Sequence, residues 1–304
     1  MTRPAPAPAG TAALLAQLVD DAGLFPPASL PMGEAVDAHL AARAGQFRWM
    51  LGRFVCPAHR IDELDRAARG DAAESLRLTV LLGADASEWT RSAEAVTEVV
   101  KRRGWTVELV EAPLPDAAVA DRARELVGIA GDLGADRAFV ELPWSEFPLD
   151  RLGDAVETAA GAGAGIKVRC GGLTADAFPP PALLASVLAS CRDASTPMKA
   201  TAGLHHPFRH PDPETGAVMH GFVNLAVAAV LATVHGLGEG DLAAVLADDD
   251  EDAFVVDTRV GWRDLDASQE DVARARRDLF VGFGSCSFRE PVDDLVALGI
   301  LTSA

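Results

Sequence analysis

Apolar positions along the chain fall into two alternating rhythms. Short, nearly continuous apolar runs recur, and each is followed by a longer stretch in which apolar residues return every three or four positions. The runs are DDAGLF (20–25), RWMLGRFVCP (48–57), LRLTVLLGA (76–84), TVELVEAP (106–113), RAFVELPW (137–144), AGIKVRCGG (164–172), MKATAGL (198–204) and LFVGFGSCSF (279–288). A strand covered by helices on both faces loses the in–out alternation of a half-exposed strand and reads this way. The intervening stretches predict helices. SEWTRSAEAVTEVVKRRG (87–104) opens on a serine cap and closes at a glycine. DAAVADRARELVGIAGDLG (116–134) and PPPALLASVLASCRDAS (179–195) behave alike, the prolines suiting a helix start where a missing N–H is harmless. EPVDDLVALG (290–299) supplies a last helix.

Eight strand–helix units in 304 residues are the arithmetic of a (β/α)8 TIM barrel. The rival, a doubly wound sheet, usually carries a GxGxxG turn after its first strand, and none occurs here. One connection breaks the rhythm. Residues 205–278 are read as an insertion between strands 7 and 8. It holds a long helix at 220–236, a second near 240–247 and an extra strand within AFVVDTRVGW (253–262). No linker divides the chain, so one barrel domain over 1–304 is expected.

Charge and composition narrow the function. The net charge is −18 and the pI about 4.7, with no basic stripe, which argues against a nucleic-acid partner. The acidic run ADDDEDAF (247–254) reads as a solvated loop rather than a metal site. Cys56, Cys170, Cys191 and Cys286 form no CxxC pair and are read as free thiols in a reducing compartment. The first residues read as a frayed Pro/Ala arm leading into a helix. No run reaches the roughly 18 apolar residues of a membrane span. A cytoplasmic location without membrane association is expected, with a homo-oligomer left open.

In such a barrel the chemistry lies at the C-terminal ends of the strands. Polar residues there are Asp20, Asp21, Arg53, Glu108, Glu111, Glu141, Lys167, Arg169, Lys199, His205, His206, Ser285 and Ser287. Lys167 and Arg169 are two apart and share a face. Repulsion between them, with Lys199 on the next strand, predicts a lysine pKa lowered toward a neutral amine. Glu141 either neutralises Lys167 or moves protons. His205 and His206 are adjacent, so they point apart and lack the i, i+4 spacing of a helical metal pair. His205 is read as a proton-relay residue and His206 as a substrate contact. The GFGSCSF turn suits an anion, with Gly203, Gly284, Ser285 and Arg209 as donors along one rim.

Taken in order, these strand ends resemble deoxyribose-phosphate aldolase and related class I aldolases. GIKVRCGG is similar to the family's sixth-strand segment with the Schiff-base lysine, here Lys167. PMKATAG is similar to the seventh-strand lysine segment, here Lys199, 32 residues on. GFGSCSF resembles the eighth-strand phosphate turn, FVELP the fifth-strand glutamate segment, FVCP the second strand, and LVDDAGLF the first. The resemblance implies a barrel, a Schiff-base lyase acting on a small carbonyl substrate that carries a phosphate in the family, and no cofactor. The chain departs from the family pattern where Val168, Arg169 and Cys170 follow Lys167, where Ala202–Gly203 replaces a Gly-Gly, in the LHHPFRH extension, and in having no tyrosine at all. KATAGLHHP and GSCSF are also similar to marks of a bacterial barrel family, a likeness that implies the fold and no substrate.

The expected catalytic set is thus Lys167, Lys199, Glu141 and His205. The expected substrate contacts are Asp21, Arg53, Arg169, Gly203, His206, Arg209, Gly284 and Ser285. No metal is expected, and the partner is a small molecule. Two other readings stand beside it. One is a metal-assisted hydrolase, isomerase or lyase using Glu141 with His205 or His206. The other is a barrel that binds an anionic metabolite without turnover.

Overall fold

The computed structural model describes residues 7–70, 74–114, 119–143, 149–213 and 215–303. Residues 1–6 of the expected Pro/Ala arm lie outside them, as do Trp144 and the start of the helix expected from residue 116.

Seven barrel strands come first: β1 (Val19–Asp21), β2 (Leu51–Pro57), β3 (Arg77–Leu81), β4 (Thr106–Pro113), β5 (Arg137–Glu141), β6 (Gly165–Arg169) and β7 (Met198–Thr201). Five short strands follow: β8 (His210–Pro211), β9 (Val218–Met219), β10 (Phe254–Val256), β11 (Val260–Trp262) and β12 (Leu265–Ala267). The eighth barrel strand is β13 (Phe280–Ser285), which pairs with β7 on one side and β1 on the other. The barrel is closed and every neighbouring pair in it is parallel, so the fold is a (β/α)8 barrel. All eight expected strands are present. The first is displaced: the run expected over 20–25 pairs only as Val19–Asp21. Beyond it the Gly23 amide bonds back to Asp21 and the Phe25 amide to Ala22, which turns the chain out of the sheet.

Helices α1 (Ala9–Leu15), α2 (Met32–Ala44), α3 (Ile61–Ala67), α4 (Trp89–Arg103), α5 (Val119–Asp132), α6 (Leu149–Gly161) and α7 (Pro181–Asp193) alternate with the strands. α4 buries Trp89, Ala93, Val96 and Val99, one stripe at helical spacing. It ends at Gly104 with φ +66°, a left-handed cap that glycine adopts without steric cost. The start differs from the expected serine cap. The Asp85 side chain accepts from the Ser87 amide, ahead of a short 3-10 turn. α7 has proline in its first turn, as expected.

Residues 205–278 hold more than the pattern predicts. α8 (Phe222–His235) and α9 (Glu239–Ala247) are the two expected helices, and α10 (Gln269–Asp278) is a third. The single extra strand expected over 253–262 is instead two strands, β10 and β11, joined at a polar turn and continued by β12 into an antiparallel sheet. Every residue from Phe222 to Ala232 is buried. α7, α9, α10 and β11–β12 surround α8, and Phe222 stacks on Phe283 of β13 at 5.1 Å. α8 therefore covers the barrel wall beside β13. A final helix, α11 (Arg289–Ala297), follows β13. Among the described residues no helix is long and apolar enough to cross a membrane.

Candidate active site

Two local irregularities decide which side chains enter the barrel. Strict alternation would send Glu108 and Glu111, three apart, to opposite faces. The β3–β4 register shifts between Leu78 and Thr79, opposite Val107 and Leu109, so Glu108 is the extra residue of a bulge. Both glutamates then pair with interior cations. A similar shift between β1 and β2 occurs opposite Gly52 and Arg53. A Cβ on Gly52 would collide with the Asp20 carboxylate, so the glycine leaves room for it.

The result is a chain of alternating charges along the barrel axis. Lys199 Nζ lies 2.5 Å from Asp20 Oδ2 and 2.5 Å from Glu111 Oε1. Glu111 Oε2 lies 2.7 Å from Lys167 Nζ, which is 2.9 Å from Glu141 Oε2. Glu141 faces Arg169 at 3.9 Å. Below Lys199, Asp20 Oδ1 accepts from the Arg53 amide at 2.8 Å and faces its guanidinium at 3.4 Å. Arg53 Nε donates at 2.8 Å to Glu108, which also pairs with Arg77. Lys199 and Glu111 are 1% exposed and Lys167 6%. Unpaired, any of these buried charges would be costly; the chain leaves none alone.

The charge states follow. Burial pulls the Lys167 ammonium toward neutrality, but Glu111 and Glu141 outweigh it and hold it above the ordinary lysine range. Burial likewise disfavours the Glu111 carboxylate, and Lys167 and Lys199 overcome it and keep its pKa below the usual carboxylate range. Asp20 is lowered against burial by Lys199 and Arg53. The expected repulsion-lowered lysine is therefore corrected. Glu111 stands between the two ammonium groups and converts repulsion into two attractions.

Above this chain opens a cavity of about 430 Å³. Lys167, Lys199, Glu111, Glu141, Arg169 and His205 supply its charged and polar lining, with Phe25, Leu81 and Leu204 among the apolar walls. Gly203, Gly284, Ser285 and Cys286 lie along it as well. Gly203 has φ +66° and packs against Gly171, where an added Cβ would fall 2.8 Å from the Gly171 Cα. Of the expected residues, Lys167, Lys199, Glu141, His205, Arg169, Gly203, Gly284 and Ser285 thus share one cavity.

Four expected substrate contacts do not line it. Asp21 faces the helix layer, one position out of phase with Asp20, and accepts from His39 Nδ1 at 3.1 Å. Arg53 lies deeper in the barrel, holding Asp20 and Glu108. His206 turns away to Asp294, at 2.6 Å, and packs edge-on against His210. Arg209 donates to His220 Nδ1 at 3.3 Å, and burial keeps that imidazole at about 4, hence a neutral acceptor. Ser285 lines the cavity, but its hydroxyl donates to the Ser287 carbonyl at 2.7 Å. It shapes the turn as well as facing the cavity. Sequence reasoning noted Glu111 and Asp20 at strand ends without placing either in the site. The signal that would have found them is electrostatic: two lysines buried in one barrel need carboxylates between and beside them.

His205 is held differently. Its Nδ1 donates to Glu290 Oε2 at 2.9 Å. Interaction with Cys286 first, and with Glu290 second, pushes His205 up to about 10 against burial. The donors of the metal reading do not converge, since His205 is held by Glu290 and His206 by Asp294. Among the described residues no three His, Cys, Asp or Glu side chains are grouped to hold a metal ion.

No family model matches the sequence, nor does any curated protein. Among solved structures the chain is similar to an aldolase, QR15, at 10% identity and TM-score 0.46, over 96% of this chain and 99% of that one. It is also similar to a xylose isomerase-like TIM barrel protein from Mycobacterium smegmatis in complex with magnesium, at 15% identity and TM-score 0.41, over 87% and 95%. A xylose isomerase domain protein from Planctomyces limnophilus matches at 14% identity and TM-score 0.30, over 53% and 66%. Likenesses of this size carry no chemistry across to this chain, whose fold stands on its own closed parallel barrel.

Proposed function

We propose that the protein is a Schiff-base-forming lyase of the class I aldolase type, acting on a small carbonyl substrate. The observation that carries this reading is Glu111. One buried carboxylate is shared by two lysines that both border an open cavity, and Lys167 is the more exposed of the two. Lys167 is the nucleophile. Its ammonium passes a proton to Glu141, and the free amine adds to the substrate carbonyl. Water then leaves and an iminium forms. Its positive charge sits where the ammonium sat, between Glu111 and Glu141, so the carboxylates that hold the resting lysine also stabilise the intermediate. Cleavage of the neighbouring carbon–carbon bond sends its electron pair into the iminium, giving an enamine. Lys199, Glu111 and Asp20 form the buried relay that moves a proton to or from it. Hydrolysis releases Lys167.

Borohydride with a panel of small aldehydes and ketones tests this directly. A reduced adduct on Lys167, found by peptide mass spectrometry, is the expected result. Absence of an adduct with every carbonyl tried would overturn the reading. The pH dependence carries a sign. Because Lys167 is held above the ordinary lysine range, its neutral fraction near pH 7 is small and grows about tenfold per pH unit below its pKa. The initial rate of trapping should therefore climb from pH 7 to 9. Glu141→Gln should slow trapping, because the ammonium loses its proton acceptor and the iminium one of its two carboxylates, and should move the rise to lower pH by removing one of the charges that keep the amine protonated. A flat wild-type profile would mean that amine deprotonation does not limit addition.

Arg169 and the strand-7 and strand-8 turns are the proposed seat of an anionic group on the substrate. The Arg169 side chain is half-exposed beside Glu141, and Gly203, Gly284 and Ser285 line the same cavity. Titration of inorganic phosphate should show Arg169→Met and Ser285→Asp each weakening binding by about 1–3 kcal/mol, the scale of a lost charge-assisted contact. Unchanged binding in both would move the anion elsewhere. Phosphate binding without any trapped carbonyl would favour the non-catalytic metabolite-binding reading.

A further inference from the structure

The cavity has two kinds of wall, and the division follows the order of the strands. β1 to β4 are consecutive around the barrel, and so are β5, β6, β7 and β13. The first four strands and the turns after them contribute Ala22, Phe25, Val55, Leu81, Leu82 and Pro113. Among the described residues Glu111 is the only polar side chain that this half brings to the cavity, and both of its oxygens are taken by Lys167 and Lys199. The other half is mixed. It carries every lysine and arginine of the lining, together with Glu141, Thr201, His205 and Ser285. Its loops add Leu204 and Leu173, and Leu173 is 70% exposed, more than any other large apolar side chain among the described residues. Apolar surface left open to water in a cavity is unfavourable, and a hydrocarbon placed against it relieves this.

We infer that the substrate carries a hydrocarbon arm that packs on the β1–β4 wall, an assignment that rests on the lysine chemistry proposed above for calling the molecule a substrate. The carbonyl goes to Lys167 and the anionic group to the Arg169 side. The hydroxyl that aldol cleavage requires finds its partners in the polar half. What is left of the molecule faces Phe25, Val55, Leu81 and Leu82. Each methylene buried there is taken out of water, which favours binding. A hydroxyl in the same place gives up its water and gains no partner, because the one carboxylate of that half is already engaged by two ammonium groups. A polyhydroxylated, sugar-like arm is therefore the wrong complement to this wall. The substrate class that fits both halves is an anionic carbonyl compound with an alkyl-type arm.

The test uses the folded full-length protein and straight-chain carboxylates, which bring an anion and an arm into the cavity and cannot form a Schiff base. Isothermal titration with propanoate, butanoate, pentanoate and hexanoate should show affinity rising about fourfold per methylene, the effect of burying one CH2 group. Gluconate has the six carbons of hexanoate with hydroxyls along its arm, and it should bind on the order of 100-fold more weakly. Phe25→Ser and Leu81→Ser should each flatten the series, weakening hexanoate about tenfold and propanoate by less than about twofold. A wild-type series that is flat or undetectable, or gluconate bound as tightly as hexanoate, would overturn the inference without recourse to any variant. A rising series left unchanged by both variants would also overturn it, because the arm would then lie elsewhere. Borohydride trapping reports separately. A rising series with no trapped carbonyl upholds the apolar wall and removes the lyase. An adduct on Lys167 that forms more readily with glyceraldehyde than with hexanal upholds the lyase and removes the arm.

Discussion

Lys167→Met should leave the barrel folded and remove turnover together with borohydride trapping. Methionine retains the apolar stem of lysine and loses the amine, so the nucleophile disappears with little change in packing. Glu111 keeps Lys199 at 2.5 Å, and Glu141 keeps its exposure and Arg169, so neither carboxylate is left buried and alone. A fall of roughly 1,000-fold or more in kcat/KM, about 4 kcal/mol of barrier, is expected. Thermal unfolding followed by circular dichroism should stay cooperative. Lys199→Met should cost less, on the order of 10- to 100-fold, as befits a group in a proton relay. Equal and mild losses at both positions would mean that the lysines only bind anions, and the lyase reading would fall.

Glu111→Gln is the variant expected to damage the fold most among the site residues. The carboxylate is 1% exposed and satisfies two ammonium groups at once. Removing its charge leaves Lys199 with Asp20 alone and brings two buried cations face to face. Breaking a buried pair from one side costs about 3–5 kcal/mol, and urea unfolding should report a loss of that order. Glu111→Gln combined with Lys199→Met should be less destabilised than the sum of the single changes, because the two side chains touch. Arg289 and Asp293, a pair exposed on α11, provide the contrast: their loss should stay within about 0.5 kcal/mol. The pH sign is fixed by the lowered Glu111 pKa. Its contribution to stability is present above its unfolded value, about 4.5, and is lost as pH falls through the folded one. Wild type should therefore lose stability on acidification more steeply than the variant. Equal stability of the two proteins at pH 7 would mean that the shared carboxylate does not hold the lysines.

The barrel was legible because parallel strands sheathed by helices read as apolar runs, and eight of them leave little choice of fold. Lys167 and Lys199 were legible for a related reason, since a lone cation inside such a run is conspicuous. Their carboxylate partners were not. Asp20 and Asp21 are adjacent in a three-residue strand buried on both faces, where the apolar pattern gives no parity. Glu111 shares the interior with Glu108 only through a bulge, and nothing in TVELVE announces the shift of register. The directions of His206 and Arg209 depend on Asp294 and His220, partners set by tertiary packing. The hairpin within 253–262 was hidden because the polar turn that breaks it is only three residues long.

α8 carries a consequence for anyone who would shorten this chain. By length, residues 205–278 look like an appendage that could be trimmed back to a minimal barrel. Yet α8 is apolar on every side, and α9 with the β10–β12 sheet forms an outer sleeve over it. Stripped of that sleeve, a greasy helix would face water, and self-association would compete with solubility. The outer elements are therefore scaffolding for the wall behind strands 7 and 8, the same strands whose turns border the cavity. Loop grafting or domain minimisation would have to stop outside them.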